Sequence, residues 1–153
     1  MKIAKKIFLI VLLLGFSRSF AQDMYVNPGI KLGYMFGENG GFVIGFELSV
    51  TRYDNKTGSI WGLVLDLDET VKMTKLHLGV ESSTAFLGLD AGPAFIWQDN
   101  KGYWGFSFIP YGGVFLYPYY NFTFNFQNIY YHEIGSYIKF TIPNKNNESV
   151  RFN

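Results

Sequence analysis

The side chains best equipped for chemistry in this sequence are His77 and His132, its only two histidines. Neither has a second histidine or a carboxylate at metal-ligand spacing within its own segment. The absence of cysteine removes thiol nucleophiles and zinc thiolate sites. His77 shares an alternating face with Lys75 and Glu81, and Asp66 stands in the preceding segment. If the two segments pair, these groups form either an acid–base site or a hydrogen-bonded member of a polar network, and the network is the expected reading. Gly37, Gly40 and Gly41 cluster between two alternating segments with nothing basic after them, which marks a hairpin rather than a phosphate cradle. Asp68, Glu69 and Asp99 fall among turn-forming residues, where solvation rather than cation binding is expected. No catalytic, cofactor-binding or metal residues are therefore assigned, and no enzyme is expected.

What must position these residues is a series of short segments with a strict period of two. Phe42, Ile44, Phe46, Leu48 and Val50 occupy one face of the clearest segment, while Val43, Gly45, Glu47, Ser49 and Thr51 occupy the other. The same test gives apolar faces at Ile30, Leu32, Tyr34 and Phe36, at Trp61, Leu63, Leu65 and Leu67, and at Leu76, Leu78 and Val80. Further along come Leu87, Leu89, Ala91, Pro93, Phe95 and Trp97, then Trp104, Phe106 and Phe108, then Tyr120, Phe122, Phe124 and Phe126. The last is Ile134, Ser136, Ile138 and Phe140. From Ile109 to Pro118, Pro110, Gly112, Gly113 and Pro118 permit one long bent strand or two short ones.

The opposite faces carry nearly every mid-strand charge: Lys31, Glu47, Asp66, Lys75, Glu81, Asp90, Glu133 and Lys139, with His77 among them. Alternation alone fits a soluble barrel with its apolar face inward or a membrane barrel with the faces exchanged. Three features favour the membrane arrangement. The apolar faces run three to six residues and are rich in bulky aromatics. Trp61, Trp97, Trp104, Tyr53 and Tyr103 stand near segment ends, where amphipathic rings suit an interface. The charged face is also rich in glycine, which makes room for paired charges inside a barrel barely wide enough for its own side chains. A plugged interior with salt bridges, and no open channel, is expected.

Residues 1–21 have the tripartite form of a secretory signal: Lys2, Lys5 and Lys6, the apolar run from Ile7 to Phe16, then Ser19 and Ala21, with cleavage expected before Gln22. The run is about half the length that crosses a hydrocarbon core. Removing this segment changes the balance from 13 cations and 12 acids to 9 and 12, so the mature chain lacks the basic excess of a nucleic-acid binder.

The segment Glu133-Ile134-Gly135-Ser136-Tyr137-Ile138-Lys139-Phe140 resembles the closing strand of outer-membrane β-barrels, which the barrel-assembly machinery reads. With the signal segment and the alternation, it makes the chain similar to small barrels of the OmpA-transmembrane or OmpX type. The resemblance implies an all-β, antiparallel up-and-down transmembrane barrel of about eight strands over residues 22–142, followed by a polar tail at 143–153. Residence in the outer membrane would turn Phe42, Ile44, Phe46, Leu48, Leu63, Leu65, Leu76, Leu78, Leu87, Leu89, Phe106, Phe108, Phe122, Phe124, Ile138 and Phe140 toward lipid. The tail departs from relatives that end at the closing aromatic, and is too short for a peptidoglycan-binding domain. Short connections throughout argue against adhesion or receptor binding. The expected role is structural or interactive, with no specific ligand, no cofactor and no nucleic acid. A soluble exported barrel binding an apolar ligand is the alternative. Third is a lipid A-modifying enzyme, although the histidine and serine two residues apart of the deacylases is missing at both His77 and His132.

Overall fold

The computed structural model describes residues 24–143 apart from 38, 39, 55 and 85, so the segment expected to be a signal peptide and most of the expected tail lie outside the described residues. Eight antiparallel strands follow one another: β1 (Met24–Phe36), β2 (Gly41–Asp54), β3 (Ser59–Glu69), β4 (Met73–Ser83), β5 (Leu87–Gln98), β6 (Lys101–Gly112), β7 (Tyr117–Asn125) and β8 (Tyr130–Lys139). Each pairs with the next, and β1 pairs with both β2 and β8, which closes the sheet into a barrel. A two-residue β9 (Ile142–Pro143) continues beside Tyr25 and Val26.

The ambiguous stretch resolves into two strands. β6 ends at Gly112, Gly113 turns with φ 145°, and β7 begins at Tyr117. At the β5–β6 turn only Asp99 and Asn100 intervene, with φ of 51° and 59°, the paired positive values of a tight primed hairpin.

Closure is staggered. Stepping between register partners from Val26 leads through Val50, Leu63, Val80, Ala91, Phe108, Phe122 and His132 to Phe36, ten residues further along β1. A stagger of that size tilts eight strands by about 40° and leaves an interior filled by side chains.

Phe46, Leu65, Leu78 and Phe106 are exposed on the outside, and most other outward strand positions are apolar too, with Ser59, Thr74, Ser82, His132 and Ser136 as uncharged exceptions. Phe124 is outward and half-buried between Phe106 and Phe126. The only outward charges on the eight strands are Arg52, Asp54 and Glu69, all at strand ends. Inside, Met35, Val43, Met73, Ile96 and Tyr131 form an apolar plug toward the end where β1 turns into β2. Lys31, Ser49, His77, Ile96 and Ser107 have 0% exposure, so the middle of the barrel is sealed from solvent.

Candidate functional site: the polar interior and its cup

All nine side chains expected in the polar network point inward: Lys31, Glu47, Asp66, Lys75, His77, Glu81, Asp90 and Glu133 are buried, and Lys139 nearly so. Glycines on neighbouring strands make the room. A Cβ at Gly45 would overlap the Asp68 carboxylate, and one at Gly33 or Gly135 would meet the Tyr119 hydroxyl. One at Gly88 would strike the Tyr111 ring.

Two lysine-centred groups result. In the first, Lys31 Nζ lies 3.2 Å from Asp66 and 3.0 Å from Asp68, and Lys75 Nζ lies 3.0 Å from Asp68 and 2.9 Å from Glu133. Glu133 also accepts from the Tyr119 hydroxyl and from Asn121 Nδ2 at 3.3 Å. Asn121 Oδ1 accepts from Thr123 at 3.0 Å, and Thr123 meets Ser107 at 2.7 Å, so the chain of polar contacts crosses from β1 to β6. In the second group, Lys139 Nζ lies 2.5 Å from Glu47 and 3.1 Å from Glu81, which accepts from the Tyr111 hydroxyl at 3.0 Å. Lys139 also sits over the rings of Tyr111 and Tyr137, at 4.8 and 4.9 Å from their centroids. Charges removed from water in this way are tolerable because each of the three ammonium groups meets two carboxylates.

Some placements differ from the sequence expectation. Asp68 is not a solvated turn residue: β3 runs on to Glu69, which turns Asp68 inward between two lysines. Tyr103 packs against the apolar plug and Tyr53 lines the interior, so neither sits on the outer girdle, whereas Trp61, Trp97 and Trp104 are outward and exposed. Sequence reasoning also missed the inward cluster of Tyr111, Tyr117, Tyr119 and Tyr137, whose rings stack or meet edge-on at 5.0–6.3 Å. Tyrosine is amphipathic and alternation does not assign it a side, but the polar partners within reach do.

The interior is not plugged along its whole length. At the end where β1 begins, a cup of about 310 Å³ opens, with Tyr25, Tyr53, Tyr111 and Tyr117 in its wall and Glu81 and Lys139 at its floor. At the β2–β3 turn beside it, the backbone N–H of Lys56 and the Thr57 hydroxyl donate to Asp54, and these bonds hold that carboxyl below its ordinary range. His132 is on the outer surface, where its Nδ1 meets the Tyr120 hydroxyl at 2.5 Å. Neither serine nor carboxylate is among its hydrogen-bond partners in the described residues. No protein-family profile matches the chain, and no curated protein matches it in sequence.

Proposed function

We propose that the protein is an exported integral outer-membrane barrel of the small OmpA-transmembrane or OmpX kind, with a structural or interaction role and no catalysis. The observation that carries this reading is the outer surface: eight strands whose outward positions are predominantly apolar, with His132 and Ser136 as polar exceptions in the middle of β8 and formal charge only at strand ends. In water such a surface would be a continuous hydrophobic belt, far beyond the patches a soluble monomer exposes. A 12-residue strand such as β5, rising about 3.3 Å per residue and tilted by about 40°, spans about 30 Å, which matches a hydrocarbon core. Trp97, Trp104, Tyr34 and Tyr130 gather near one rim and Trp61 near the other, as interfacial anchors do.

The soluble alternative needs the same aromatics to face an internal ligand, and they face outward. An acyltransferase or deacylase reading lacks support at either histidine, since His77 is sealed inside and His132 is bonded to a tyrosine. Residues 1–21 supply the export signal, and β8 supplies the strand that the barrel-assembly machinery would read. Fractionation of expressing cells tests the reading. The protein should remain in the outer-membrane fraction after carbonate washing and migrate faster on gels unheated than boiled. Recovery in the detergent-free soluble fraction would refute it.

A further inference from the structure

A further ionisable cluster adjoins the first lysine group and shares Asp66 with it. An oxygen of Asp66, a ring nitrogen of His77 and an oxygen of Asp90 lie within 4.8 Å of one another, and all three residues are buried. Asp66 on β3 and His77 on β4 are register partners. Asp90 reaches them from β5 through the space left by Gly79, where a Cβ would overlap its carboxylate. His77 Nε2 stands 3.1 and 3.0 Å from the two Asp90 oxygens. His77 Nδ1 and Asp66 Oδ1 have no hydrogen-bond partner among the described residues, although both side chains are fully enclosed.

Charge counting points the same way. The interior holds Lys31, Lys75 and Lys139 against Glu47, Asp66, Asp68, Glu81, Asp90 and Glu133, a formal excess of three negative charges when His77 is neutral. A sealed, low-dielectric interior demands compensation for such an excess. A proton on His77 would offset one charge, whereas a divalent ion offsets two.

We infer that Asp66, His77 and Asp90 bind one divalent transition-metal ion inside the barrel wall. One imidazole nitrogen with carboxylate oxygens is a donor set for Zn²⁺, Co²⁺ or Mn²⁺, and a poor one for Ca²⁺, which takes six to eight oxygens. Lys31 keeps its partner Asp68 when Asp66 turns an oxygen to the metal. Asp90 pairs across β4–β5 with Glu81, which lines the cup, so the cluster stands next to the cup floor.

The test uses the barrel folded in detergent micelles, stripped with a chelator and titrated with Zn²⁺ or Co²⁺. One ion per barrel is expected, with Co²⁺ giving ligand-field absorption bands. His77→Gln and Asp90→Asn should each weaken binding by more than about a hundredfold, beyond the loss that supporting groups produce, while His132→Gln leaves it unchanged. Absence of stoichiometric metal on the wild-type protein, or binding undiminished by His77→Gln, overturns the inference. Should the interior variants fail to fold, the imidazole ¹⁵N spectrum of His132→Gln, in which His77 is the sole histidine, decides the matter. One equivalent of Zn²⁺ must shift its signals, and an unchanged or doubly protonated ring overturns the site. The readout concerns the folded barrel and is independent of where the cell keeps it.

Discussion

Glu133 serves three donors at once, Lys75, Tyr119 and Asn121, in a place no water reaches. Replacing it with glutamine keeps the shape but leaves Lys75 with Asp68 as its only counter-charge, which should cost about 3 kcal/mol of stability. Glu69→Gln, at an exposed strand end, should stay within about 0.5 kcal/mol of the parent. Urea unfolding in micelles measures both. The glycines give a second contrast. Gly79→Ala forces Asp90 out of its place and should destabilise by about 1–3 kcal/mol, as overpacking does, whereas Gly41→Ala meets nothing within 4 Å and should be silent. At this scale the sequence was legible wherever a charge stood in mid-strand, because only one face could hold it. Asp68 was not legible: Asp68-Glu69-Thr70-Val71-Lys72 has the composition of a turn, and only the pairing of Asp68 with Lys75 across β3–β4 draws it into the strand.

For the strands, each outward position on β3 and β6 is a test of the surroundings proposed for the barrel. Leu65→Lys and Phe106→Lys, placed halfway along, should each lower the free energy of folding into lipid vesicles by about 2–4 kcal/mol, and lysine at Trp61, near a rim, by about 1 kcal/mol or less. Equal effects at mid-strand and rim would contradict a bilayer around the barrel. Strand identity was readable from alternation, since the aromatic and aliphatic face of β2 or β5 never changes side. Strand ends were less so. β8 begins at Tyr130, inside the span 128–131 whose composition reads as a connection, because Tyr131 turns inward to donate to Gln98 at 3.1 Å. The boundary between β6 and β7 hinged on Gly113, and two prolines nearby obscured it.

In the whole molecule, the sealed middle and the apolar plug separate the cup from the opposite end. Purified barrel placed in a planar bilayer should therefore add no steady ionic conductance above that of the bare bilayer, and discrete current steps would show that the polar network opens. The lysine groups were foreseeable from the balance of charge and glycine along the strands, whereas the apolar plug of Met35, Val43, Met73, Ile96 and Tyr131 was not. Nor was the cup, because its wall gathers Tyr25, Tyr53, Tyr111 and Tyr117 from β1, β2, β6 and β7, which strand pairing and stagger rather than any local pattern bring together.

That stagger also bears on how the molecule is made. The seam joins β1 to β8, pairing Gly29 with Lys139 and Phe140 N–H with the Pro28 carbonyl. Every other seam is a hairpin between chain neighbours, while this one brings together segments separated by nearly the full length of the barrel. Its loop-closure entropy is the largest in the fold, and it gains nothing until both partners have been synthesised. Assembly consequently resembles fastening a belt whose buckle comes last: until that moment the molecule is an open ribbon with two sticky margins. A chain lacking residues 130–143 should remain such a ribbon, prone to pair with copies of itself.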